Sequence, residues 1–162
     1  MSASPVAPAR PLATDPVAVI EGAVVAIVRE ASLSSLQERL KQAAGVSVDR
    51  AGFQVLRFLD NTGSARLSEI AAAMGLDPST ASRHVRWLER EKLIERRGDP
   101  EDRRVAVLSL SVSGVDALER LIEARNGFFA ALLHDWSDED LGRLAPLLDR
   151  LARDLQNRGR EL

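Results

Sequence analysis

Leu67-Ser68-Glu69-Ile70-Ala71-Ala72-Ala73-Met74-Gly75-Leu76-Asp77-Pro78-Ser79-Thr80-Ala81-Ser82-Arg83 is the stretch on which the fold turns. Residues 67–74 read as a short helix, and Gly75, with no Cβ, suits the left-handed turn that stops it. Asp77 can accept hydrogen bonds from the free N–H groups of a new first turn. Pro78 suits the first helical position, where no N–H is required. The pattern predicts a second helix from Pro78 to about Lys92, joined to the first by a turn of three or four residues.

On that second helix Ala81, Val85 and Leu88 share one face and can pack inward. Ser79, Thr80, Ser82, Arg83 and Arg86 are left largely outward. Small hydroxyls allow close approach to a surface, and guanidiniums suit guanine edges or phosphates. A positioning helix, a tight turn and such a second helix form a helix-turn-helix, whose second helix lies in a DNA major groove.

Downstream, Glu95-Arg96-Arg97-Gly98-Asp99-Pro100-Glu101-Asp102-Arg103-Arg104 and then Val105-Ala106-Val107-Leu108-Ser109-Leu110 read as a charged β-hairpin. Apolar residues at 105 and 107, with 110, suggest its strand. Basic side chains on such a projection would let Arg103 or Arg104 enter a minor groove while the helix occupies the major one. Upstream, Asp49 can cap a helix carrying Phe53, Leu56 and Leu59, which Asn61-Thr62-Gly63 breaks.

The two ends of the chain carry helical seams. Val17, Ile20, Val24, Ile27 and Ala31 recur at steps of three and four, with a polar continuation that Gly45 ends. Ser111 or Ser113 can cap a long helix bearing Val115, Leu118, Ile122, Phe129 and Leu132 and ending near Trp136. Ser137 with Asp138-Glu139-Asp140 opens a final helix whose Leu141, Leu144, Leu148, Leu151 and Leu155 repeat the seam. These seams are expected to pack together and across a twofold axis. The resulting plan is mainly α with a small β-wing, a winged helix-turn-helix with terminal dimerisation helices. Its parts are a disordered tail (1–16), an N-terminal dimerisation helix (17–45), the winged unit (46–110) and C-terminal dimerisation helices (111–162).

The totals fit this plan. The chain has 162 residues, 45% hydrophobic and 28% charged, enough for a proper core. Its net charge of -2 carries no global signature of nucleic-acid binding, so affinity must come from a local patch. Residues 83–104 hold eight Arg or Lys against six Asp or Glu. The absence of cysteine excludes disulfides and thiolate metal sites. No apolar run is long enough for a membrane span, and the N-terminal tail is unlike a signal peptide, so a cytoplasmic location is expected.

Residues 67–83, then Leu88-Glu89-Arg90-Glu91-Lys92-Leu93-Ile94-Glu95-Arg96, resemble the MarR family of bacterial regulators. Asp99 to Arg104, with Leu108-Ser109-Leu110-Ser111 and Gly114, is similar to that family's wing signature. The likeness covers roughly Val17 to Leu155, and its 67–114 portion is specific. It implies a homodimer on a pseudo-palindromic operator, repression of transcription, and release by a small, often phenolic or anionic, effector. It also implies that Asp102 orients the wing through Arg104, that Arg104 reaches the minor groove, and that Ser79, Thr80, Ser82 and Arg83 lie on recognition-helix positions. Three residues depart from the family pattern. Lys92 stands where glycine is usual, which costs about 1 kcal/mol if the backbone is left-handed there. His84 and Trp87 occupy positions that are more often aliphatic and polar, respectively.

Other chemistries find little foothold. The two histidines, His84 and His134, have no nucleophile elbow beside them. Asp135, Asp138, Glu139 and Asp140 are explained by helix capping rather than by a metal. No phosphate-binding glycine loop is present, and the chain has no tyrosine and only four Phe and two Trp, few stacking aromatics for a single strand. The expectation is a double-stranded DNA-binding regulator with no catalytic residues, cofactor or metal. The alternative is a winged-helix protein-interaction module without DNA binding.

Overall fold

The computed structural model describes residues 15–98 and 106–158. Arg103, Arg104 and Asp102, and with them the expected hairpin tip, lie outside the described residues, as does the expected tail up to residue 14. The chain divides into two units, 1–121 and 122–162.

In the first unit α1 (Pro16–Ala31) starts at an Asp-Pro pair, as the decisive stretch does: Asp15 accepts from the Val17 N–H at 2.9 Å. The single N-terminal helix with a polar continuation is in fact two helices. The chain breaks at Ser32-Leu33 and resumes as α2 (Ser34–Ala44). The Ser32 hydroxyl donates to the Val28 carbonyl at 2.7 Å and accepts from Arg50 Nη1 at 2.7 Å, while Gln37 Nε2 donates to the Ala31 carbonyl at 2.8 Å. Side chains thus bond carbonyls of the last turn of α1, with no glycine or proline to mark the break.

Helix α3 (Arg50–Thr62) is capped by Asp49, which accepts from the Gly52 N–H at 2.7 Å. A three-residue strand, β1 (Ser64–Arg66), follows directly where the sequence suggests only a breaker. Then come α4 (Leu67–Met74) and α5 (Pro78–Arg90), with the boundaries read from the sequence at all but the last turn. Gly75 is left-handed at φ 63°, as a helix-ending glycine should be.

The hairpin consists of β2 (Ile94–Gly98) and β3 (Ala106–Leu110), and β3 is the central strand of an antiparallel sheet ordered β1-β3-β2. Arg96 and Ala65 both pair with Leu108, from opposite sides. Within β3 Leu108 is fully buried, whereas Val107 is half-buried. Residues 105–110 are apolar at both parities, so alternation alone cannot choose the inward face. The core joins Val55, Leu56 and Leu59 of α3, Ile70 of α4, Val85 and Leu88 of α5, and Leu108.

Helix α6 (Val112–Leu132) is capped by Ser111, whose hydroxyl accepts from the Gly114 N–H at 2.9 Å. It stops four residues before Trp136. Its inward residues are Gly114, Ala117, Leu118 and Leu121, while Val115, expected on the apolar face, is exposed. In the second unit Ser137 opens α7 (Asp138–Arg158), accepting from the Asp140 N–H at 3.1 Å. Neither α1 nor α7 has a buried residue in the single chain.

Candidate nucleic-acid interface

The Asp77 carboxylate accepts from the backbone N–H groups of Ser79 and Thr80, each at 3.0 Å, and from the Ser79 hydroxyl. These donors, the side-chain bond from Ser79 foremost and then Thr80, hold the Asp77 carboxyl well below the usual carboxylate range. The first turn of α5 is therefore fixed at an exposed helix end. The Ser79 hydroxyl proton is committed to Asp77.

The faces of α5 separate as the sequence predicts. Ala81, Val85 and Leu88 are at most 1% exposed. Ser79, Arg83 and Arg86 are exposed, and Thr80 and Ser82 are half-buried. With the inner face held in the core, the helix cannot rotate to hide its guanidiniums. Ser79, Ser82, Arg83, Arg86, Glu89 and Arg90 line a shallow hollow of about 780 Å³ along the outer face. Arg90 extends the cationic row one turn beyond the sequence reading. Its spacing of seven residues from Arg83 was the available signal.

His84 and Trp87 are half-buried. Trp87 lines a smaller cleft of about 230 Å³ with Gly45–Val48, Glu91, Leu93, Ser113, Ala117 and Arg120.

The turn out of α5 is a two-bond cap. The Leu93 N–H donates to the Leu88 carbonyl and the Lys92 N–H to the Glu89 carbonyl, each at 3.0 Å. Such a cap demands a left-handed residue, and Lys92 supplies it at φ 59°, the one non-glycine residue with positive φ among the described residues. The Ser111 hydroxyl donates to the Lys92 carbonyl at 2.6 Å and so ties the turn to α6.

Glu89 then reaches across to the wing. Arg96 Nε donates to its Oε1 at 2.7 Å and Arg96 Nη2 to its Oε2 at 3.3 Å. The hydrogen bond donated to Glu89 raises the Arg96 guanidinium above its ordinary value, against a smaller opposing effect of burial. On the opposite side of β2, Arg97 pairs with Glu95 at 2.7 Å. The sequence reading did not pair Glu89 with Arg96, because a pair spanning a turn leaves no periodic trace.

Comparison with known proteins bears on this arrangement. The MarR family model matches residues 49–106, the span from the α3 cap to the first residue of β3. YxaD of Bacillus subtilis, an uncharacterised HTH-type transcriptional regulator, is 31% identical over 137 residues, covering 85% of this chain and 93% of that protein. The HTH-type transcriptional repressor MdtR of Bacillus subtilis is 30% identical, covering 75% of this chain and 82% of its own length. Among solved structures, YusO of Bacillus subtilis is 26% identical and covers 86% of this chain and 99% of its own, with a TM-score of 0.62. A mutant MarR from E. coli, 19% identical over 81% of this chain and 95% of its own, shares the fold with a TM-score of 0.67. With an anchored second helix, a three-stranded sheet carrying the wing and a relative matched over 93% of its length, the chain belongs to the MarR family of winged-helix transcriptional regulators.

Proposed function

We propose that the chain acts as a homodimer that binds a pseudo-palindromic DNA operator in the cytoplasm, represses transcription by obstructing polymerase, and lets go when a small effector binds. The observation that carries this reading is the fixed polarity of α5: its apolar face is locked in the core while Arg83, Arg86 and Arg90 stand in one outward row. Ser79, Thr80, Ser82 and Arg83 contact base edges, and Arg86 and Arg90 contact phosphates. Arg103 and Arg104 supply the wing contacts, with Asp102 orienting Arg104.

The terminal helices, residues 17–45 and 111–162, form the dimer. Support comes from the apolar surface they leave uncovered in the single chain: Ile20, Ile27, Leu148 and Leu155 are each 45–59% exposed. The twofold axis sets two α5 helices about one turn of DNA apart, and the half-site centres lie about 10 bp apart. The name of MdtR, a repressor, favours repression over activation. The cleft beside Trp87 and Arg120 abuts the inner side of α5, so a ligand wedged there would change how α5 is presented.

The test is selection of bound duplexes from random DNA by the purified full chain, paired with sedimentation of the DNA-free protein. An inverted repeat and a dimeric mass are expected. Recovery of no preferred duplex would leave the protein-interaction alternative, and a monomer at micromolar concentration would remove the operator symmetry.

A further inference from the structure

The strand β2 leaves α5 through the turn at Lys92, and a single left-handed turn is a pivot. The cap bonds hold the base of β2 to α5, and the ladder with β3 holds Ile94–Gly98 within the sheet. Arg96 lies at the middle of β2, paired in register with Leu108, and two residues before Gly98. Its side chain shares the strand face of buried Ile94, and both its Nε and Nη2 engage Glu89. Glu89 thus holds the base of the strand with its carbonyl and the middle of the strand with its carboxylate.

We propose that the Glu89–Arg96 fork is a clip that sets the angle between the DNA-reading helix and the wing, so that the two reach the duplex as one rigid piece. The β3 ladder ties β2 into the sheet, and the fork adds a direct side-chain tie between the middle of β2 and α5 beyond the Lys92 turn. From Ile94 to Gly98 the strand is a lever of about 13 Å, so a swing of about 10° at Lys92 moves its far end by about 2 Å. That displacement exceeds what a hydrogen bond to a phosphate or a groove edge tolerates. The side chains of the pair are 44% and 25% exposed, so its contribution is geometric more than energetic. A two-pronged guanidinium–carboxylate contact serves this purpose because it constrains direction as well as distance. Glu89 and Arg96 are positioning residues, with the Nε and Nη2 of Arg96 engaged by the two Glu89 oxygens.

The inference rests on the DNA-binding reading, and its test keeps the two separable. Glu89→Gln, Arg96→Met and the exchanged pair E89R/R96E are compared with the unaltered full chain in two measurements. The first is amide hydrogen exchange in DNA-free protein. Each single variant should expose β2 and β3 amides faster while α3 and α4 stay unchanged, and the exchanged pair should restore protection.

The second is hydroxyl-radical footprinting, with a salt titration, on a duplex selected by the unaltered chain. Each single variant should keep protection at the half-site centres, lose it at the wing-contacted flanks, and lower the salt slope by about one unit. Tighter binding by Glu89→Gln would overturn the proposal, since it would mean that the carboxylate merely shields Arg96 from phosphate. Unchanged exchange or an unchanged flanking footprint would overturn it as well. If the unaltered chain selects no duplex, the DNA reading fails while the exchange result still decides whether the clip exists.

Discussion

A Cβ on Gly114 would lie 1.8 Å from the carbonyl oxygen of Leu93. That oxygen is backbone and already accepts the Ser111 N–H at 3.1 Å, so it cannot step aside as a flexible side chain would. The first turn of α6 is therefore pressed directly onto the turn that ends α5. Gly114→Ala must push α6 away, and a loss of about 2 to 3 kcal/mol is expected. Urea unfolding measures it, and a midpoint equal to that of the unaltered chain would show that α6 does not seat this way.

Lys92 occupies the left-handed corner that Gly114 faces across Leu93. Replacing it with glycine removes a steric cost of about 1 kcal/mol, part of which the added freedom of the unfolded chain takes back. Lys92→Gly should raise the unfolding midpoint, Lys92→Ala should leave it nearly unchanged, and Lys92→Val should lower it. The order of the three is the diagnostic, and a destabilised glycine variant would contradict the geometry.

Asp77 titrates in the direction its donors dictate. Its folded pKa lies below the ordinary 3.8, so the carboxylate contributes stability in full above that value and loses it progressively as the pH falls below it. Asp77→Ala should therefore be less stable than the unaltered chain at neutral pH, with the gap closing in strong acid. Thermal unfolding followed from pH 7 downward reads this convergence, and parallel curves would exclude the cap as its source.

Arg83 and Arg104 should fail differently on DNA. Arg83→Ala should cost about 1 to 3 kcal/mol and relax base preference within the half-site. Arg104→Ala should weaken many sequences alike and lower the salt slope by about one unit. Titrations of both variants against selected and scrambled duplexes separate the two behaviours, and indifference of both variants would refute the assignment of contacts.

Leu148→Asp puts a charge on the exposed seam of α7, where Leu148 is 45% accessible in the single chain. The fold should survive, because no core contact is lost, while the sedimenting species falls to monomer mass and operator affinity collapses. A stable dimer after this change would move the interface elsewhere.

The parts that local chemistry governs were legible from the residues alone. The limits of α4, the start of α5, the Asp49, Asp77 and Ser137 caps, the Gly75 turn and the two faces of α5 all follow from interactions within four residues of chain. The left-handed backbone at Lys92 was raised by the family resemblance, as a conditional cost.

What escaped depends on groups far apart in sequence. Strand β1 is too short to announce itself and exists because β3 offers Ser109, Leu108 and Val107 as partners. The break between α1 and α2 is bridged by Arg50, eighteen residues beyond Ser32. The phase of β3 was decided by the sheet around Leu108, and the Glu89–Arg96 fork by the sheet's placement beside α5. Capping and helical periodicity are short-range forces, so the residues alone determined where helices begin, end and face. Strand register and the angle of the wing arise only when distant segments meet, because each partner's preferred position is set by the other, and these the tertiary structure alone decided.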